Sequence, residues 1–192
     1  MDFIKPYFNK GDIIKLFLVC AFPIHVWSIF MFIRDFDWIS ERTNAWDAVG
    51  VGSYALTLAL FESLFIFLII FGLSFLVHRT WPPETRLAIM SILVFVASMW
   101  AAITQAFFLL GGVLPVSVFN FLVESGHPFR YLYGTIGPLV VISIAGPVIL
   151  LLRSEKLVQG TLALIDRIIL LSGLYLFFDA VGIVIVIIRN VS

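Results

Sequence analysis

The sequence predicts an all-α integral membrane protein with five transmembrane helices. Three observations carry that fold class. Hydrophobic residues make up 61% of the chain and charged residues 12%, against about 25% charged in soluble proteins. Five apolar stretches each reach the roughly 20 residues that a hydrocarbon core of about 30 Å requires. The alternation expected of a membrane-spanning strand is absent. Lipid offers no hydrogen bonds to the backbone, and only a helix satisfies its own peptide groups within one segment. The 192 residues read as a single transmembrane domain, because five spans and their short loops use nearly the whole chain.

The first span, residues 13–33, follows Lys5 and Lys10, holds Lys15 at its edge, and gives way to Arg34-Asp35-Phe36-Asp37. It exceeds the apolar core of about 7–15 residues typical of a secretory signal and lacks a small-residue cleavage site, so it reads as retained. Pro23 withdraws the backbone donor that would serve the carbonyl of Val19. The second span covers 50–77 and carries Glu62. Before the third, 87–110, Trp81-Pro82-Pro83-Glu84 reads as a rigid turn that sets a proline at the first helical position. The fourth, 133–152, contains Gly146-Pro147, which frees the carbonyl of Ser143; the fifth, 168–188, carries Asp179.

Two connections are unusual. Residues 34–49 hold Asp35, Asp37, Glu41 and Asp47 against Arg34 and Arg42, with Trp38 and Trp46 suited to the headgroup interface. Residues 111–132 open on Gly111-Gly112, and the apolar run after Pro115 is too short to span. It predicts a re-entrant or interfacial helix ending near Glu124-Ser125-Gly126.

Orientation follows from the distribution of Lys and Arg. Eight lie on the side of the N-terminus (Lys5, Lys10, Lys15, Arg79, Arg86, Arg153, Lys156 and Arg167), and four on the other (Arg34, Arg42, Arg130 and Arg189). The bias predicts an N-in, C-out chain in a bacterial cytoplasmic membrane.

Depth yields the sharpest inference about chemistry. His25 lies about two residues past the centre of its span, Glu62 one or two before its centre and Asp179 about one past, and the alternating span directions turn these offsets the same way. All three are thus expected within a few ångströms of one plane. A charged group there costs about 2.5–3.5 kcal/mol if it faces lipid, so it turns inward and takes a partner. Small or polar neighbours share those faces: Ala55, Ala59 and Ser63 beside Glu62; Ser172, Tyr175 and Gly182 with Asp179; Ala21 and Ser28 with His25. His25, Glu62 and Asp179 are therefore a candidate intramembrane proton or cation site. The alternative is that they bond helices together and do no chemistry. Gln105, beside the stripe Ser98, Ala102 and Ala106, reads as an interhelical hydrogen-bonder.

Asp35 and Asp37 form a D-x-D that could hold Mg²⁺ or Mn²⁺ and so meet a phosphate. Its placement after the first span resembles the first outer loop of multi-pass glycosyltransferases that use lipid-linked sugar donors. That resemblance covers one span and a few loop residues, and implies a lipid-glycan enzyme. The five-span arrangement also resembles the membrane anchor of outer-leaflet phosphoglycerol and phosphoethanolamine transferases, a likeness of architecture that transfers no residues. His127 and Arg130 are candidates for a lipid-headgroup contact.

Exclusions narrow the rest. Net charge is zero with no basic stripe, so no nucleic-acid partner is expected. Cys20 is the single cysteine, which rules out an intrachain disulfide or a cysteine-rich metal centre. No Ser–His–Asp triad signature, H-E-x-x-H or glycine-rich phosphate loop occurs, and no cofactor is expected. The expected partners are the bilayer and other membrane helices. The leading functional expectation is a non-enzymatic membrane subunit or scaffold, presenting Ala55/Ala59/Ser63 and Ser98/Ala102/Ala106 as contact ridges. The alternatives are a proton- or cation-coupled carrier using His25, Glu62 and Asp179, and a lipid- or lipid-glycan-modifying enzyme using Asp35 and Asp37.

Overall fold

A computed structural model describes residues 8–77 and 80–191; Lys5 and Arg79, both used in the orientation argument, lie outside the described residues. The described chain is helical, with no strand among its residues. In order come α1 (Lys10–Arg34), α2 (Phe36–Arg42), α3 (Ala45–Ser74), α4 (Pro83–Leu109), α5 (Val116–Glu124), α6 (Pro128–Arg153) and α7 (Glu155–Val191). Five of these, α1, α3, α4, α6 and α7, are long and apolar enough to cross a membrane.

Local chemistry explains where the helices start and stop. Asn9 caps α1: its side chain accepts from the Asp12 N–H at 2.8 Å, and the Asp12 carboxylate accepts from the Asn9 N–H at 3.2 Å. Asn44 caps α3 by accepting from the Asp47 N–H at 2.9 Å. Pro82 and Pro83 occupy the cap and first position of α4, as the Trp81–Glu84 turn predicts. A nine-residue α5 stands where the apolar run after Pro115 placed a short helix. It ends on Gly126 at φ +66°, a left-handed conformation that glycine adopts without a side-chain penalty.

Every membrane-length helix begins before its expected span, α3 at Ala45 where 50 was expected, and three differences stand out. The connection after α1 contains a helix of its own, α2, broken from α1 at Asp35, within which the Arg42 guanidinium lies 4.6 Å from the Trp38 ring centroid one turn earlier. The fourth membrane-length helix begins at Pro128, five residues before the expected 133. The last runs 37 residues from Glu155, with Ser154 as the joint between α6 and α7. A hydropathy window sees the lipid-facing part of a helix and is blind to polar turns that continue it.

The bundle is organised around α1, which packs against α3, α4 and α7. Lys15 meets Asp166, Leu18 meets Ser172 and His25 meets Asp179, so positions ascend together and α1 runs parallel to α7. Contacts of Arg189 with Asp47 and of Gly182 with Ser53 set α7 antiparallel to α3. Gly182 matters for that approach, because a β-carbon there would stand 3.3 Å from the Ser53 carbonyl oxygen. The densest apolar packing joins Leu16, Val19 and Cys20 of α1 to Leu87, Met90 and Val94 of α4 and Val158 and Ile165 of α7. Acyl chains are as apolar as leucine, so in lipid such contacts hold helices through close fit, with interhelical hydrogen bonds alongside. α6 is peripheral: Leu151 is its one buried residue, and Trp100 of α4 reaches it by donating its indole N–H to the Ser143 hydroxyl at 3.0 Å.

Candidate functional site

His25 and Asp179 come together between α1 and α7. The ring sits seven residues beyond Leu18 on α1, and the carboxyl seven beyond Ser172 on α7, so the two contacts between parallel helices repeat after about two turns. The Ser172 hydroxyl donates to the Leu18 carbonyl at 2.9 Å, and above it His25 Nε2 lies 3.0 Å from each oxygen of Asp179. His25 Nδ1 lies 2.8 Å from the Ala21 carbonyl. A carbonyl only accepts, so Nδ1 carries a hydrogen. A second proton is therefore shared between Nε2 and the carboxyl group, either as imidazolium with carboxylate or as imidazole with carboxylic acid. In both forms the pair sums to zero charge.

Enclosure is complete. The two side chains are 0% and 1% exposed, and the Tyr175 ring covers His25 in a parallel stack, 5.6 Å between centroids at 5°. Tyr175, Asp179 and Gly182 thus each do a different thing on the α7 stripe: one stacks, one bonds, and one lets α3 approach. Every strong hydrogen-bonding position of the imidazole is used, and the pair joins α1 to α7 with both side chains enclosed.

Glu62 is not part of that pair. It is exposed on α3 and faces a cleft between α3 and α4 whose floor is the other face of α1, formed by Pro23, Ile24 and Trp27. Gln105 of α4 borders the same cleft. Among the described residues Glu62 has neither a hydrogen-bond nor an ion-pair partner. Ser28, grouped with His25 by helical spacing, lines the Glu62 side instead.

Asp35 is engaged by its neighbour: Arg34 Nε and Nη2 donate to its two oxygens at 2.8 and 3.0 Å. That hydrogen-bonded guanidinium holds the Asp35 carboxyl below the usual carboxylate range. Asp37 lies exposed in the first turn of α2. Among the described residues no group of three or more His, Cys, Asp or Glu side chains is arranged to hold a metal ion. His127 is the N-cap residue of α6, its backbone N–H donates to Ser125 Oγ at 3.2 Å, and both His127 and Arg130 are exposed.

Sequence reasoning missed one organising residue. Arg189, near the end of α7, donates to the Trp46 carbonyl and the Asp47 carboxylate, each at 2.7 Å, over the Trp46 ring. It passes where a side chain at Gly50 would stand, since a β-carbon there would lie 2.6 Å from the guanidinium. The signal was present as two features read separately: an acidic, tryptophan-bearing loop and a lone arginine after the fifth span. Comparisons of this chain with protein-family models, with curated proteins and with solved structures find no match in any of the three.

Proposed function

We propose that this protein is a non-enzymatic subunit of a bacterial cytoplasmic membrane, inserted N-in and C-out, whose role is to assemble with other membrane helices. The observation that carries the reading is the enclosure of His25 and Asp179. A site for proton or cation traffic needs an approach to its ionisable groups, whereas this pair is sealed and internally neutral, as a helix tie requires. α6, with Leu151 as its one buried residue, and the open α3–α4 cleft supply surface for a partner. The test is copurification in mild detergent: a defined membrane partner is retained at fixed stoichiometry, and it stays bound when the pair is replaced by Asn at both positions. Loss of any partner under the mildest extraction refutes the reading.

A carrier is the second reading, favoured by the exposed Glu62 beside Gln105 in that cleft. It requires pH- or cation-dependent uptake into vesicles reconstituted with the pure protein, abolished by Glu62→Gln. The enzyme reading draws no support from geometry at Asp35, whose two oxygens are both bonded to Arg34.

A further inference from the structure

The α3–α4 cleft continues from Glu62 in both directions. Toward the α3–α4 connection it is bounded by Ile69 and Ile70, opposite Val94 and Ala97, with a volume of about 770 Å³. In the opposite direction, past Gln105, it opens between α3 and the end of α1, where Val51 and Ala55 share the space with Met31, Asp35 and Ile39. From Val51 to Ile70 the helix rises about 28 Å at about 1.5 Å per residue, close to the roughly 30 Å of the hydrocarbon core. A small molecule would fill a fraction of such a slot, whereas a transmembrane helix matches its length.

Charge decides which helix. Glu62 stands midway along an apolar wall with no partner among the described residues, and the Trp27 ring borders the same space. A second copy of this chain has no cation to bring there. Of its Lys and Arg, Lys15 alone falls inside the five expected spans, two residues from an edge, and His25 is enclosed against Asp179. The complementary group must come from another protein. We propose that the α3–α4 cleft receives a single transmembrane helix of a different protein carrying Lys or Arg at mid-depth, which pairs with Glu62 beside the Trp27 ring. This rests on the subunit reading and names the chemistry of its partner.

The full chain is reconstituted in phosphatidylcholine vesicles with synthetic Leu/Ala helices of about 21 residues bearing one central Lys or one central Leu, each labelled as an energy-transfer acceptor for tryptophan. The Lys helix is expected to associate roughly tenfold more tightly than the Leu helix, and Glu62→Gln, at an exposed position, to erase that difference without altering the melting temperature. Equal association of the two helices, or a preference that survives Glu62→Gln, overturns the proposal. So does a Glu62-dependent homodimer, or Glu62-dependent binding of tetraphenylphosphonium with no preference for the Lys helix. A copurifying partner that stays bound to the Glu62→Gln protein overturns this inference while leaving the subunit reading intact. A Lys-helix preference without any copurifying partner does the reverse.

Discussion

Truncating Asp179 distinguishes a tie between helices from a reactive centre. Asp179→Ala removes both acceptors from His25 Nε2, a nitrogen that is 0% exposed and has no water to turn to. An unpaired buried polar group costs about 1–3 kcal/mol. Interhelical hydrogen bonds in membranes average about 0.6 and reach about 1.7 kcal/mol, because the separated helices find other partners in the membrane. The expected loss for Ala is therefore about 1–2 kcal/mol, or roughly 2–8 °C in melting temperature for a chain of this size. Asp179→Asn behaves differently. With the imidazole hydrogen fixed on Nδ1 by the Ala21 carbonyl at 2.8 Å, Nε2 becomes an acceptor, and the asparagine amide can donate to it. The loss for Asn should stay below about 1 kcal/mol. Replacing both residues, His25→Leu with Asp179→Val, should cost less than Asp179→Ala alone, since no polar atom is left unpaired. Thermal melts and detergent-unfolding titrations of the purified variants measure all three. An Ala variant as stable as the parent, or an Asn variant as damaged as Ala, would refute the hydrogen-bond account.

The close approach of α7 to α3 makes a second prediction: Gly182→Leu, forced against the Ser53 carbonyl, should lose about 1–3 kcal/mol and Gly182→Ala distinctly less, read by the same melts. At the end of the bundle closed by Arg189, Gly50→Leu should expel the guanidinium from its contacts with Trp46 and Asp47 and speed amide hydrogen exchange in the last turns of α7, leaving the His25–Asp179 level unchanged. The Arg34–Asp35 contact has a pH dependence of known sign. A carboxyl held below its unfolded value contributes stability above the ordinary carboxylate range, lost as pH falls through the lowered value, so carbon-detected NMR should show Asp35 titrating below the ordinary carboxylate range, and a return to that range on Arg34→Gln. Reporter fusions should place the two termini on opposite sides of the membrane, and a common side would refute the parallel arrangement of α1 and α7.

The five long helices were legible because a bilayer constrains length and hydropathy together, and both can be read from composition along the chain. The ends were less so. α2 is too short for a hydropathy window, and the first turns of α7 are polar, so Glu155 and Lys156 read as loop although Ser154 supports a helical start there, accepting from the Leu157 N–H at 3.4 Å. Helical spacing correctly grouped Ser172, Tyr175, Asp179 and Gly182 on one stripe, because a period of 3.6 is a local property. Which helix that stripe meets is not local. Equal depth suggested one cluster of His25, Glu62 and Asp179, yet depth fixes a height and leaves the direction around α1 open. His25 turns to α7, whereas Glu62 lies across the opposite face of α1, a distinction that rests on the order in which helices pack.

The tie between α1 and α7 also sets a schedule for biogenesis. Asp179 is 154 residues downstream of His25, so at about 5–20 residues per second its partner emerges roughly 8–30 s later. Throughout that interval the first helix carries an unmated imidazole into the bilayer. A nascent chain interrupted before α7 keeps that nitrogen without its partner.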